Sequence, residues 1–206
     1  MAQRIFDRTV PRSLFDARIW VVSSADFSTF VDAEVPDVGT RWADEADDDG
    51  PVPPDREQAS IEDKLARGEI AAVIERDGRV VARDYFTAGS FMQKEWLRFA
   101  FRDREIYSSW SFVEPEYRGQ GLAVQLAHFA YREFARQGYL RDFSVTDALN
   151  RSALRSSAKM RHWPIGRIAY ARCCGFTVTR IGGRVHAGFW SAKNPLVIDF
   201  SVFDGP

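Results

Sequence analysis

Apolar and polar residues follow two spacings along this chain, and these spacings predict alternating strands and helices. Residues 71–76 and 79–86 carry Val, Ile, Tyr and Phe, and the Asp77-Gly78 pair between them predicts a tight hairpin. Apolar residues recur at helical spacing over 119–137, and a second short helix is predicted over 151–160 behind Asn150 as its N-cap. Further strands are predicted at 19–22, 105–113, 143–146, 165–173, 176–181, 185–190 and 196–202.

The order of these elements predicts one mixed α/β domain of the α+β type, a sheet covered by helices, over residues 1–206. A further helix is predicted over 60–68, where Asp63 favours the N-terminus through the helix dipole and Gly68 ends the helix. Residues 43–57 differ in composition, with seven acids, three prolines and one arginine. Such a segment buries too little apolar surface to offset its ordering entropy, so we predict a mobile acidic loop, with a functional lid as the alternative.

Composition and charge narrow the class of protein. A hydrophobic fraction of 45% supports a substantial core, and a formal net charge of -1 favours neither nucleic acid nor a membrane as partner. Cys173 and Cys174 are adjacent and are expected to stay reduced. Without a signal peptide or a membrane-length apolar run, the expected location is the cytoplasm, and the three histidines show no zinc-binding spacing, so no metal is expected.

The junction between the strand at 105–113 and the helix after it holds the residues best suited to bind an anion. A turn between a strand and a helix directs the free N–H groups of the first helical turn into one pocket, where the helix dipole adds partial positive charge. Gly119 and Gly121 lack a Cβ, so phosphate oxygens can approach the backbone closely, and Arg118 adds a full positive charge. The sequence therefore predicts a pyrophosphate site.

Two common nucleotide-binding patterns do not fit this turn. The dinucleotide fingerprint G-x-G-x-x-G fails because position 124 is Val, and the Walker pattern is absent. The observed pattern is Arg118-x-x-Gly121-x-Ala123, preceded by Val113-x-Pro115. It resembles the signature of the GNAT acyltransferases, and the resemblance covers about residues 70 to 180. The alternative is a glycine-rich connection that only turns the chain.

The GNAT resemblance implies a fold, a donor and a set of contacts. The implied fold is a mixed, mostly antiparallel sheet with flanking helices, in which the two central parallel strands, here 105–113 and 143–146, splay apart. The implied donor is acetyl-CoA, whose thioester would lie near residues 109–111. Asn150 and Ser152 approximate a family segment near the pantetheine arm, although Asn150 is equally explained as an N-cap. The residues expected to contact the donor are Phe112, Val113, Arg118, Gly119, Gln120, Gly121, Leu122, Ala123, Asn150 and Ser152.

The usual catalytic residues of the family are missing from their positions. Many members place a Glu where this chain has Ser108 or Ser109, and a Tyr where it has Ser157; the first tyrosine after Asn150 is Tyr170. Strict alternation would put Glu105, Tyr107, Ser109, Ser111 and Val113 on one face of the strand. Glu105 acting through water, aided by Tyr107 and Ser109, is therefore the candidate catalytic set, with a solvated strand-end Glu105 as the alternative.

The acceptor is expected to be a small-molecule amine, and charge distribution bears on its nature. Residues 151–193 hold nine Lys or Arg and no acid, which fits an anionic acceptor, the 3′-phosphate of CoA, or simply a solvated basic surface. Nucleic acid is not favoured, because aromatics are not interleaved with the cations. A homodimer stays open. The aromatic stretch 86–101 predicts core packing, or alternatively a pocket for an acceptor or a longer acyl chain. A non-catalytic acyl-CoA sensor is the alternative to an enzyme.

Overall fold

The computed structural model describes residues 15–32, 39–44, 47, 65 and 67–204. Most of the predicted helix at 60–68 and most of the predicted acidic loop at 43–57 lie outside the described residues. Within that segment Asp47 is described, and its carboxylate accepts hydrogen bonds from Arg41. The Arg41 guanidinium lowers the pKa of Asp47 below its ordinary value.

Nine strands form one sheet in the order β11-β10-β9-β1-β8-β7-β4-β3-β2, and three more form a small second sheet in the order β12-β6-β5. In the large sheet every neighbouring pair is antiparallel except β7 and β8. The strands are β1 (Phe15–Asp26), β2 (Thr40–Trp42), β3 (Ile70–Arg76), β4 (Arg79–Ala88), β5 (Ser90–Lys94), β6 (Leu97–Ala100), β7 (Glu105–Val113), β8 (Arg141–Asp147), β9 (Trp163–Cys173), β10 (Phe176–Ile181), β11 (Arg184–Phe189) and β12 (Leu196–Asp199). The predicted mixed, mostly antiparallel sheet is confirmed.

Local sequence signals explain the turns and helices that lie near the site. Asp77 and Gly78 both have positive φ, as a two-residue hairpin turn requires, so β3 and β4 pair as predicted. Helix α1 (Leu122–Arg136) buries a stripe that includes Leu126, Ala130 and Phe134 against the sheet. Helix α2 (Arg151–Lys159) begins at Asn150, whose side chain accepts the Ala153 N–H as the predicted N-cap.

The large sheet carries a core on each face. On one face α1 packs over β3, β4 and β7 together with the short 3-10 helix Phe27–Phe30. On the other face the small sheet closes over a cluster rich in aromatic rings, among them Phe99, Tyr107, Phe143 and Phe200. The aromatic stretch 86–101 is thus core, because Phe86, Trp96, Leu97 and Phe99 are buried.

The first strand takes a position that the sequence does not indicate. β1 lies between β8 and β9 and pairs antiparallel with both, Val22 being opposite Val145 on one side and Gly166 on the other. The sequence predicted only its central residues, 19–22. Because β1 fills this position, β8 has a full antiparallel partner on one edge and only a short parallel partner, β7, on the other.

The predicted alternation along β7 is wrong, because a β-bulge interrupts the strand. Tyr85 of β4 pairs with Trp110, whereas the next residue, Phe86, pairs with Ser108, so Ser109 is the extra residue of the bulge. An extra residue reverses the facing of every side chain after it. Tyr107 therefore packs in the aromatic core while Val113 packs against the α1 side of the sheet.

Candidate functional site

A wedge-shaped gap opens between the two central parallel strands. β7 and β8 pair over four residues each, from Glu105 opposite Arg141 to Ser108 opposite Ser144, and no pairing follows although β7 continues to Val113 and β8 to Asp147. The backbone of residues 109–113 on the β8 side is therefore available to an extended ligand. The splayed pair expected from the resemblance is present, and its closed end lies at Ser108 and Ser144.

The turn after β7 leads directly from this gap into α1. Gly119 and Gly121 have φ of 81° and 78°, a region that favours glycine, and a Cβ built on either meets no atom within 4 Å. The backbone N–H groups of residues 119–123 donate to no acceptor among the described residues. Gly121 caps α1 without a side-chain hydrogen bond. The turn thus presents a set of free donors at a helix N-terminus, which suits a pyrophosphate.

Arg118 stabilises this turn through its side-chain contacts and adds a positive charge to it. Its Nε donates to the carbonyl oxygen of Val113 at 2.9 Å, and its guanidinium lies 5.6 Å from the centre of the Phe112 ring. The side chain therefore connects the end of β7 to the start of the turn. It is exposed and takes part in no ion pair with the described residues, so its charge is available to an anion.

Asn150 and Ser152 lie at the start of α2, where their side chains interact with each other. Asn150 Oδ1 accepts from Ser152 Oγ at 2.9 Å and from the Ala153 N–H at 3.2 Å. The N-cap interpretation accounts for the oxygen of the amide. The Nδ2 group remains to donate to a ligand, and a contact of Asn150 or Ser152 with the donor stays a prediction.

Glu105 lies at the closed end of the splay, where it is part of an ion-pair network. Its carboxylate is 4% exposed and accepts from Arg141 Nε at 3.0 Å, from Arg141 Nη2 at 2.5 Å and from the Arg102 N–H at 2.8 Å. Arg141 also contacts Asp204. Both carboxylate oxygens already accept hydrogen bonds and both lie on the paired side of Ser108, so this arrangement favours a structural role over that of a base.

Tyr107 is also held inside the fold. Its ring is 1% exposed within the aromatic core, its hydroxyl donates to Gln93 Oε1 at 2.8 Å, and burial raises its pKa well above the ordinary value. It points to the face opposite Ser108, whose side chain lies on the α1 side. The structure therefore does not bring Glu105, Tyr107 and Ser109 together.

Ser109 lies where the gap begins, directly after the last paired residue of β7, and a carboxylate contacts its side chain. Its hydroxyl lies 3.0 Å from Glu69 Oε2 and 3.3 Å from the Tyr85 carbonyl oxygen. Glu69 immediately precedes β3 and is half-buried. No sequence signal connects these two residues, which are 40 positions apart. Folding thus places a carboxylate beside the position where the family often has one on β7.

A second polar group, which we call the buried polar cluster, lies on the α1 side of the closed end. Asp142 Oδ2 accepts from Ser108 Oγ at 2.6 Å and from Tyr131 Oη at 2.9 Å, and it lies 3.1 Å from His162 Nε2. His162 Nδ1 lies 3.0 Å from Ser144 Oγ. Asp142, His162 and Tyr131 are almost fully buried, and burial raises the pKa of Tyr131. The members of the cluster are Ser108, Tyr131, Asp142, Ser144 and His162.

Residues 38–160 match the family described as the acetyltransferase (GNAT) family, a match that covers more than half of the chain. The chain belongs to the GNAT acetyltransferase family. A search of curated protein sequences returns no significant match. The matched segment includes the splayed strands, the turn and both described helices, so the GNAT resemblance drawn from the turn is confirmed.

Solved structures support the GNAT fold. A Drosophila protein has a TM-score of 0.57 at 17% identity, covering 84% of this chain and 57% of that protein. A putative GNAT acetyltransferase from Novosphingobium aromaticivorans has a TM-score of 0.50 at 19% identity, covering 79% and 68%, and a conserved protein of unknown function from Staphylococcus epidermidis has 0.51 at 10%, covering 82% and 64%. At these identities the likeness shows the fold alone. The chain spans little more than half the length of the Drosophila protein.

The cations of residues 151–193 are spread over two regions of this GNAT domain. Arg151, Arg155 and Lys159 lie on α2, which follows the splayed strand β8. Most of the others lie on β9–β11, and Arg167 and Arg180 line a cavity of about 530 Å³ there. β9 is separated from β8 by β1, so this cavity is not at the splay.

Two findings concern membranes and metals. None of the helices in the described part of the chain has the length and apolar character needed to cross a bilayer. Among the described residues, His, Cys, Asp and Glu side chains form no group of three or more that is arranged to hold a metal ion.

Proposed function

We propose that this GNAT domain transfers an acetyl group from acetyl-CoA to the amine of a small-molecule acceptor. The observation that carries the proposal is the continuity of gap and turn: β7 leaves β8 after Ser108 and continues to Val113, and the turn that follows presents free N–H groups at residues 119–123. An extended donor can lie along residues 109–113, with its pyrophosphate at Gly119–Gly121 and its thioester at the closed end. Phe112 and Val113 then supply backbone partners for the pantetheine arm.

Transfer to an amine requires a proton acceptor, because an ammonium group has no lone pair. Glu69 is our candidate, acting through the Ser109 hydroxyl 3.0 Å away or through a water molecule beside it. Ser109 is the bulged residue of β7, and a backbone N–H of β7 beyond it can stabilise the oxyanion of the tetrahedral intermediate. This assignment replaces Glu105 as the candidate base.

For the acceptor we propose a chemical class, an amine, rather than a particular compound. An anionic amine would find Arg151, Arg155 and Lys159 on the helix that follows β8. Acetyl is proposed over longer acyl groups, because the aromatic stretch 86–101 that could have lined an acyl pocket is packed in the cores.

Isothermal titration with acetyl-CoA and CoA tests the donor site, using Gly121→Glu as the disruptive variant. Gly121→Glu places a carboxylate among the free N–H groups, and we expect it to abolish binding. Gly78→Glu is the matched control, because Gly78 also has a positive φ and open space around it but lies in the β3–β4 hairpin. Absence of binding to the wild type at high micromolar ligand, or equal binding by both variants, would contradict the donor site.

Turnover separates the enzyme from a non-catalytic acyl-CoA sensor. Thiol release is measured with acetyl-CoA and a panel of amines, including amino acids and other anionic amines. Release that depends on the amine supports the transferase. Binding of acetyl-CoA without release for any amine would instead favour the sensor.

A further inference from the structure

The buried polar cluster lies where the leaving group of the proposed reaction would form. β7 and β8 separate after Ser108 and Ser144, so a donor that fills the gap ends beside these two hydroxyls. Ser144 is half-buried, and its hydroxyl faces His162 at 3.0 Å. The tyrosine that many family members use as the acid is absent here, since the corresponding position is Ser157.

We infer that Ser144 and His162 form the proton-donating arm of the reaction, in which His162 supplies a proton through the Ser144 hydroxyl to the thiolate of CoA. The inference rests on the proposed function, because it requires an acyl-CoA thioester in the gap. Ser144 is the catalytic residue in this scheme. His162 acts through Ser144, and Asp142 orients His162 and balances the charge of its imidazolium.

The geometry of His162 supports this assignment of roles. His162 Nδ1 faces the hydroxyl of Ser144, whereas Nε2 lies 2.7 Å from Tyr131 Oη and 3.1 Å from the Asp142 carboxylate, so the buried pair of Tyr131 and Asp142 holds the nitrogen that Ser144 does not contact. A base or acid that contacts its hydroxyl and is oriented by a third, buried group is the arrangement that enzymes use to move protons. Tyr131 and Ser108 donate to the same carboxylate oxygen and fix its position.

The protons and electrons of the step balance. When the tetrahedral intermediate collapses, the C–S bond breaks and its electron pair goes to sulfur. The Ser144 O–H proton goes to sulfur while the His162 Nδ1–H proton goes to the Ser144 oxygen, so the hydroxyl is regenerated and His162 becomes neutral. The proton lost by the amine goes to Glu69. Glu69 then releases that proton to solvent, and His162 takes up a proton from solvent through the cavity of about 330 Å³ that it lines, so both groups regain their starting states.

The titratable groups around His162 come from β8, α1 and β4. From β8 it faces Asp142 and from α1 it faces Tyr131, on which Asp84 of β4 also acts. Its neighbour Arg161 donates to the carbonyl oxygen of Thr29 and lies over the Phe30 ring. His128 of α1 has its pKa lowered by burial and by Arg161, so it loses its proton before an unperturbed histidine does.

Ser144→Ala is the decisive variant, measured with the amine that turns over best. We expect kcat to fall roughly 10²-fold, the lower range for loss of a general acid, with the KM for acetyl-CoA unchanged. Ser144→Thr keeps a hydroxyl and should recover most of the activity. His162→Gln should also lower kcat while leaving the KM for acetyl-CoA unchanged, because the Ser144 hydroxyl then has no proton to relay, whereas a merely structural loss would change both constants.

Ser24→Ala is the matched control, because Ser24 is, like Ser144, a half-buried serine, and it lies on the neighbouring strand β1 opposite Phe143. A kcat for Ser144→Ala within twofold of wild type, or an equal loss in Ser24→Ala, would overturn the inference. So would an acetyl adduct on Ser144 detected by mass spectrometry, since that makes the residue a nucleophile. If wild-type protein turns over and Ser144→Ala does too, only the relay is wrong. If wild type binds no acetyl-CoA, the proposed function itself is wrong.

Discussion

Glu105→Gln separates a structural role of Glu105 from the catalytic role that the sequence first indicated. The substitution keeps the shape of the side chain and removes its charge. In the folded protein the carboxylate accepts two hydrogen bonds from Arg141 and one from the Arg102 N–H, and it is 4% exposed. Because water does not reach this site, a hydrogen bond lost there is not replaced by one to water, and its loss lowers the free energy of unfolding.

The size of the effect follows from those three bonds. The amide introduced by Glu105→Gln would keep one oxygen for Arg141 and would turn a donor towards the Arg102 N–H, so one charge-assisted bond is lost and two donors face each other. Such a bond contributes about 1.5–3 kcal/mol, and a buried donor without an acceptor adds a similar cost. We expect a loss of about 3 kcal/mol in the free energy of unfolding, or roughly 6–12 °C in Tm for a domain of this size.

Urea unfolding followed by tryptophan fluorescence measures the loss, and kcat is measured well below the transition. We expect kcat within twofold of wild type, whereas Glu69→Gln should lower kcat with little effect on stability. Glu133→Gln is the matched control, because Glu133 forms surface ion pairs with Arg132 and Arg136 that contribute at most about 1 kcal/mol. A stable Glu105→Gln protein that has lost its activity would refute this reasoning and restore Glu105 as the base.

Three further predictions follow from other parts of the structure. Asn150→Asp keeps an N-cap oxygen but loses the Nδ2 group, so the Tm should be unchanged. If the amide contacts the donor, the affinity for acetyl-CoA measured by titration should fall. Equal affinity would mean that Asn150 acts only as a helix cap. Arg141 lowers the pKa of Asp204 through a hydrogen bond, so the stability from this pair is complete at neutral pH and is lost as pH falls below about 4; urea midpoints at pH 6 and pH 3 should differ less in Asp204→Asn than in wild type. Phe134→Ala should cost about 3–5 kcal/mol in urea unfolding because Phe134 is fully buried between α1 and the sheet, and a loss under 1 kcal/mol would contradict that packing.

Several elements were predictable because their causes are local in the sequence. The hairpin of β3 and β4 needs two residues that accept positive φ, and Asp77-Gly78 supplies them. The turn after β7 needs the same freedom at Gly119 and Gly121, followed by an apolar stripe that commits the next residues to a helix. Requirements of this kind involve neighbouring residues and are visible in a single sequence, so the turn and the family could be predicted from it, and the donor site proposed at that turn rests on the same residues.

The candidate base and acid could not be predicted, because they come from distant segments. Glu69 contacts Ser109 across 40 positions, and Ser144 contacts His162 across 18. The bulge at Ser109 reverses the facing of later side chains, and its presence depends on how β4 and β7 pair rather than on the residues of β7 alone. Period-two reasoning therefore grouped Glu105, Tyr107 and Ser109, which the fold separates.

The sequence by itself determined the turn, the helix after it and the strand before it, since backbone freedom and apolar periodicity depend on a few neighbouring residues. Only the tertiary structure decided where the strands meet: it inserts β1 between β8 and β9, ends the β7–β8 pairing at Ser108 and Ser144, and buries Asp142 beside His162. Pairing and burial depend on segments far apart in the chain. For that reason the proposed donor half of the site could be predicted from the sequence, whereas the proposed proton-transfer half depends on contacts that only the fold brings together.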